Sequence, residues 1–366
     1  MRLDSDLLNL LCCPSCGGDL GLAGTPEMDP DGHAMTGELR CRSCGAAYPI
    51  RRGIPRFVPD VQEREVSATV TGFGYEWCHV NAQIEDNLFN ATGTFLDFLQ
   101  PVQPEYFQGR VVLDAGCGNG RFSYWSQRFG AKTVVGVDLS DSVEAAFHNT
   151  RMFPNVLILQ ADLLALPFKS AFDYAFSVGV LHHTADPRRS FDSMVRRVKP
   201  GGGVSAWVYG RENNDWIIRY VNPVRKHVTS RLPRCLLRVV TLLLTVPLYA
   251  VTKGIYRPVG RWNLLRGLRK RLFYFDYLYF FGAFGIREQF LEIFDHLVPA
   301  IAEYIPRDEF AEWYSANELE GVTITARLGN SWRGFGTQPQ VATMTRDIAT
   351  EIPECPACET PAAIAS

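Results

Sequence analysis

Four of the ten cysteines form two close pairs, Cys13-Pro-Ser-Cys16 and Cys41-Arg-Ser-Cys44. Two such knuckles bring four thiolates around one tetrahedral zinc ion. Gly17, Gly18 and Gly45 follow the pairs and let backbone amides turn toward the sulfurs. Four sulfur ligands leave no open coordination position, so Zn2+ bound there is structural. It supplies folding free energy to about sixty residues that have few large apolar side chains. Two redox pairs are the alternative reading of the same spacing. Cys12 competes with Cys13 as a ligand, but only Cys13 keeps the two-residue gap.

A second constellation is Asp114-Ala115-Gly116-Cys117-Gly118-Asn119-Gly120, at the end of an apolar run and ahead of a helical one. Three glycines there let the backbone approach a ligand closely at a helix N-terminus. The spacing is wrong for a dinucleotide loop, because the third glycine comes too early and Asp114 occupies the place where a phosphate would be repelled. An acid facing such a loop suits a cationic or amino-bearing ligand. Asp138, eighteen residues past Gly120, ends the next apolar run and can accept both hydroxyls of a ribose. Asp162 ends the third run, where it can take an adenine amino proton.

The elements that must position these residues follow from the alternation of short apolar runs with segments of helical period. VVLDA precedes a helix over 121–129, and VVGVDL precedes one over 141–153. NVLILQ, DYAFSVGV, a helix over 188–198 and VSAWVY complete the rhythm. Strands alternating with helices give an α/β fold, an open parallel sheet covered on both faces whose ligands sit beyond the strand carboxyl ends.

The glycine loop and three acids, with VLDAGCGNGRF, VVGVDLS, LQADLLALPF, FDYAFSVGVLHHTADP and VKPGGG in order, resemble class I S-adenosylmethionine-dependent methyltransferases. The resemblance implies a seven-stranded Rossmann-like sheet whose last antiparallel pair is 322–328 with 331–337, preceded by a helix over 307–319. It implies that Asp114 and the Gly116, Gly118 and Gly120 backbone hold the amino-acid end of S-adenosyl-L-methionine. Asp138 holds the ribose and Asp162 with Leu163 the adenine, with Ala115, Cys117 and Leu139 completing the cofactor-binding set. Near the start, CPSCGG and LRCRSCGAAYPIRRGIPRFVP resemble the zinc-ribbon proteins that bind and activate tRNA, rRNA and release-factor methyltransferases. That likeness implies a partner-stabilising module fused to its partner.

The expected organisation is a zinc ribbon over 1–60, a linker with cofactor-lid helices over 61–108, and the methyltransferase core over 109–208. A basic helical insertion acting as substrate lid spans 209–306, the rest of the core 307–338, and a disordered tail 339–366. The tail is rich in Ala, Pro and Thr, and its Cys355-Pro-Ala-Cys358 pair is expected to be without function.

Transfer from a sulfonium is an in-line displacement, and a base is needed only if the attacking atom must lose a proton. His182 and His183 are the candidates for that role by resemblance, although a His-His-Thr turn that merely shapes its loop is the competing reading. In Phe73-Gly-Tyr75-Glu-Trp77 the aromatics can close over a sulfonium, and Tyr75 can hydrogen-bond the methionyl carboxylate, which makes it the third catalytic candidate. Enzymes that methylate nucleobase or glutamine amino nitrogens carry an Asn/Asp-Pro-Pro-aromatic motif where this chain has Ser177-Val-Gly-Val180, and this counts against such acceptors.

With 366 residues, 46% of them hydrophobic, the chain can bury sizeable cores. Its formal charge of −2 excludes a whole-molecule electrostatic argument for nucleic acid. The charge is uneven, because 216–275 holds thirteen Lys/Arg and no Asp or Glu. Arg231, Arg234, Arg238, Thr241 and Thr245 form a polar stripe on a Leu/Val-rich helix that Pro247 should end or kink, and 264–272 suggests a second amphipathic helix. Basic residues beside apolar faces suggest an anionic membrane surface or a lipid-like substrate. The longest charge-free apolar run, 239–252, is fourteen residues, which is taken to exclude a span. The N-terminus lacks a secretory pattern, so the expected location is cytoplasmic with possible peripheral membrane contact. These features lead to methyl transfer to a small or lipid-linked metabolite, such as a sugar or natural-product intermediate, with nucleic acid not favoured and the oligomeric state open. RNA or protein methylation is the alternative, and a non-catalytic binding protein a third reading.

Overall fold

The computed structural model describes residues 5–58, 63–84 and 89–340. Cys355, Cys358 and nearly all of the expected disordered tail lie outside the described residues. A helix, Ser5–Leu10, leads into five strands: β1 (Leu20–Leu22), β2 (Glu27–Met28), β3 (Ala34–Cys41), β4 (Ala47–Arg51) and β5 (Ile54–Phe57). β3 pairs antiparallel with β1, β2 and β4. Arg52 and Gly53, with φ of 52° and 83°, turn β4 back into β5. A Cβ on Gly53 would lie 2.5 Å from the Phe147 ring, so both the turn and the close approach require glycine.

The apolar runs form β6 (Val111–Ala115), β7 (Thr133–Asp138), β8 (Val156–Ala161), β9 (Phe172–Val178) and β10 (Val198–Tyr209), and β11 (Glu320–Arg327) with β12 (Ser331–Thr337) close the sheet. The order β8-β7-β6-β9-β10-β12-β11, with β12 antiparallel to both neighbours, is the expected seven-stranded methyltransferase arrangement. Alternate side chains divide between the two faces. Leu113, Val135 and Ala175 join a core with Phe191 and Met194, whereas Val112, Val134, Tyr174 and Phe176 join one with Phe122 and Trp125.

The ribbon does not rest on its four cysteines alone. β5 pairs in parallel with β8 (Arg56↔Gln160, Phe57↔Ala161), so the ribbon strands and the seven core strands are one continuous sheet. Leu7, Leu11, Leu39, Ile50 and Phe57 share a core with Leu157, Leu159 and Phe168 of the sheet domain. Arg56 donates to Glu144 at 2.5 Å and to Gln160 at 2.8 Å, while Arg151 bridges Asp29 and Asp31 at 2.8 and 2.9 Å.

The insertion departs from expectation. Helix Arg234–Val251 does not end at Pro247 and continues through Thr252–Tyr256 into Arg257–Arg261. Its Thr241 and Thr245 are completely buried, and the apolar side is exposed, Leu243 by 68%. Each threonine hydroxyl donates to a carbonyl one turn back, Leu237 at 2.8 Å and Thr241 at 2.7 Å, which makes a polar stripe cheap to bury. Arg234–Arg261 has a mean hydropathy of 1.9 over its most apolar window. By length and composition it is the one helix among the described residues that could cross a membrane, so the exclusion based on fourteen residues fails. The second amphipathic helix is only Arg266–Arg269, with Leu264 95% exposed ahead of it.

Candidate active site and metal centre

β6 ends at Ala115, and the chain then takes positive φ at Gly116, Gly118 and Gly120 (95°, 54° and 83°) before helix Arg121–Arg128 begins. The loop opens onto a cavity of about 500 Å³ beyond the strand carboxyl ends. Gly116, Cys117, Gly118, Asp138, Leu139, Asp162 and Leu163 line it. Asp138 is held in place at the end of β7: its Oδ2 accepts from the Gly118 amide at 3.0 Å and its Oδ1 from the amide and hydroxyl of Ser140 at 2.8 and 2.7 Å. Asp162 accepts from the Leu164 amide at 2.9 Å. Two strand-end carboxylates flanked by leucines, with the glycine loop beside Asp138 on the side away from Asp162, fit a nucleoside whose amino-acid tail crosses the glycines.

Asp114, Ala115 and Gly120 are not part of that wall. Asp114 is 1% exposed and turns back to accept the Ser123 hydroxyl at 2.7 Å, leaving its Oδ1 unpartnered. Burial pushes its carboxyl up to about 7. The acid therefore lies behind the loop, because the helix that follows the glycines covers it, and the expected direct grip on the donor is corrected to that of a buried neighbour.

The three catalytic candidates also separate. His182 is wholly buried between His183 and Tyr209, with both ring nitrogens unpartnered, and is not among the lining residues. His183 lines the cavity, and its Nδ1 is 2.7 Å from the Ile301 carbonyl. Burial drives His183 down to about 3 and His182 down as well, so both imidazoles are neutral and weakly basic, and His182 is in addition shut off from the cavity. Tyr75 packs against His79 and Phe294 rather than the cavity. Its neighbours Phe73 and Trp77 do line it, Trp77 lying over Gly118, where an added Cβ would be 3.4 Å from the ring.

The sequence reading missed the residues that complete the wall: Glu76, Arg121, Tyr209, Tyr277, Glu292 and Asp295. Glu288, Glu292 and Asp295 recur at helical spacing, the one signal available, but such a stripe looks like a solvated helix face in a sequence.

In the ribbon, the sulfurs of Cys13, Cys16, Cys41 and Cys44 all lie within 4.8 Å of one another. Cys13 and Cys44 are 3.7 Å apart, Cys16 and Cys41 3.5 Å. Zinc–sulfur bonds of about 2.3 Å imply tetrahedral edges of about 3.8 Å, so this donor set fits zinc. The Ser43 and Cys44 amides point at the Cys41 sulfur at 3.4 and 3.5 Å.

The fold and this site define the S-adenosylmethionine-dependent methyltransferase class. Residues 113–206 match the methyltransferase domain family, and residues 4–53 match the Trm112p-like protein family. The chain thus carries, over these residues, a methyltransferase domain with a Trm112p-like segment ahead of it. A tRNA U34 carboxymethyltransferase of Pseudoalteromonas translucida is 40% identical over 102 residues, 27% of this chain and 31% of that protein. The tRNA (carboxymethyluridine(34)-5-O)-methyltransferase of Arabidopsis thaliana is 34% identical over 111 residues, 29% and 26% of the two chains. A solved complex of the Haloferax volcanii Trm112 methyltransferase activator with a methyltransferase is 14% identical, with a TM-score of 0.38, over 77% of this chain and 100% of that one. The chain spans about a third of the length of the curated relatives it matches. These relatives are named for tRNA, which overturns the expectation of a small or lipid-linked acceptor and the disfavouring of nucleic acid.

Proposed function

We propose that this chain transfers a methyl group from S-adenosylmethionine to a base substituent of RNA, with tRNA the favoured class. The observation that carries the reading is that its core is shared with enzymes named for modifying tRNA. The insertion supports it: Arg219, Arg231, Arg238, Arg266 and Arg271 are exposed in a stretch without a single acid, which suits a phosphate backbone.

When bound, S-adenosylmethionine supplies an electrophilic methyl on a sulfonium. The chain's own residues then divide the work. Asp138 would accept a ribose hydroxyl at the Oδ2 lone pair that Gly118 leaves free, Asp162 would meet the adenine edge, and Leu139 and Leu163 would exclude water beside it. The glycine loop lets backbone come close to the amino-acid tail, and Trp77 and Phe73 close the cavity with aromatic faces, a cation–π contact of about 0.5–2 kcal/mol. Zn2+ on the four cysteines holds the ribbon. An RNA substrate agrees with a cytoplasmic location.

The test is incubation of the full chain with methyl-labelled S-adenosylmethionine and total tRNA, with Asp138→Ala as the control. Label in a nuclease-sensitive fraction, lost in the control, is expected. Affinity for tRNA should fall with salt, and Arg231→Ala with Arg238→Ala should flatten that slope by about 1.5. Label that appears only in protease-sensitive or solvent-extractable material refutes the reading.

A further inference from the structure

Helix Ile286–Leu297 places Glu288, Glu292 and Asp295 on one face, and all three line the cavity. Its opposite face, with Phe294 and Leu297, packs with Leu237 of helix Arg234–Val251. From across the cavity comes Glu76, 1% exposed, with its Oε2 lacking any partner. Two arginines also line the space. Arg327 is held by Asp97 at 2.6 Å, and Arg121, over the Trp77 and Phe122 rings at 5.2 and 4.5 Å, has Glu292, Asp295 and Glu76 as its main charge partners. Carboxylates therefore outnumber cations in the cavity, while the exposed arginines of the insertion lie outside it. Phosphates are drawn to the outer surface, while inside the cavity burial and the neighbouring Asp295 and Glu292 push the Glu76 carboxyl well up.

We propose that the Glu76–Glu292–Asp295 wall is an acceptor site for a protonated aliphatic amine carried on an RNA base, and that it rejects a carboxylate. This rests on the RNA reading above. An ammonium entering the wall satisfies the orphaned Glu76 oxygen and gives one proton to the Asp295 carboxylate. The freed nitrogen lone pair forms a C–N bond to the sulfonium methyl as the S–C bond breaks and its electrons return to sulfur. The product leaves as a secondary ammonium, and Asp295 passes its proton to water. Burial and the neighbouring Glu292 raise Asp295 to about 7, and the Tyr209 hydroxyl hydrogen-bonds to it, which suits a group that takes up and releases a proton near neutrality. An aliphatic amine needs only a proton acceptor, so the absence of the Asn/Asp-Pro-Pro motif at Ser177–Val180 agrees with such a substrate. The Arabidopsis relative, named for carboxymethyluridine, takes a base that carries a carboxyl group, which this wall disfavours.

The experiment measures binding by fluorescence anisotropy, with the full chain saturated in S-adenosylhomocysteine. Three anticodon stem-loops are compared, carrying uridine, 5-aminomethyluridine or 5-carboxymethyluridine at the wobble position, and the three free nucleosides serve as competitors. The aminomethyl RNA should bind about tenfold more tightly than the carboxymethyl RNA. Asp295→Asn and Glu292→Gln should collapse the difference, Glu292 being half exposed and safe for folding. Equal or tighter binding of the carboxymethyl form, or a preference that survives both substitutions, overturns the proposal. Stem-loops that bind without preference overturn it while keeping the RNA reading. An amine preference among nucleosides without stem-loop binding overturns the RNA reading and keeps the charge assignment.

Discussion

Asp114 shows how one residue type at one position can be legible while its role is not. Its place at the end of β6 follows from the motif, because a strand-end acid before a glycine loop is a matter of spacing. Its orientation depends on Ser123, nine residues on, whose hydroxyl draws the carboxyl behind the loop. Asp114 has the ordinary value of 3.8 when unfolded and about 7 when folded. Between those values the native state keeps a proton that the unfolded chain has released, so stability falls as pH rises through that window, and the penalty is complete above the folded value. Asp295 adds a second decline in the same range. Asp114→Asn is neutral at every pH and should flatten the drop in thermal midpoint between about pH 4 and about pH 8 in donor-free protein. Calorimetry across that range checks it, and a slope equal to wild type would show that the Asp114 proton is not linked to folding. The setting of Glu76 was beyond sequence reading for a similar reason: Glu292 and Asp295, more than two hundred positions on, set it.

Among the elements, the central strands were readable because parallel strands covered on both faces must be continuously apolar. Helix Arg234–Val251 was readable as a helix but not in orientation. Hydropathy assigns leucines to the inside, and it cannot register that Thr241 and Thr245 satisfy their hydroxyls on their own backbone and so fit the seam against helix Ile286–Leu297. The pairing of β5 with β8 was equally invisible, since a four-residue strand carries no record of which edge it joins. Its geometry gives a prediction at this scale. Gly53→Ala adds a Cβ at 2.5 Å from Phe147 on a backbone with φ of 83°, and the combined overpacking and strain should cost about 1–3 kcal/mol. Denaturant unfolding measures it; a loss below about 0.5 kcal/mol would mean that the ring moves aside freely.

At the scale of the molecule, the ribbon and the methyltransferase sheet are one structure. The domain plan read from the sequence separates them at residue 60, yet Leu39, Ile50 and Phe57 pack with Leu157 and Phe168. Loss of the metal should therefore reach past the ribbon. Chelation, or Cys13→Ser, should release about one zinc per chain and lower the thermal midpoint of the whole protein rather than melting a separate small transition. Metal analysis together with calorimetry decides this, and an unchanged main transition after zinc loss would show that the two parts unfold independently.

Strand β5 covers the outer side of β8, a sheet border that would otherwise present bare backbone groups to any extended chain nearby. Because the plug and the socket belong to the same polypeptide, each finds the other at an effective concentration on the order of millimolar. Two separate chains joined by the same pairing would come apart on dilution; this one keeps its border sealed at any dilution, and its integrity does not depend on how much of it a cell makes.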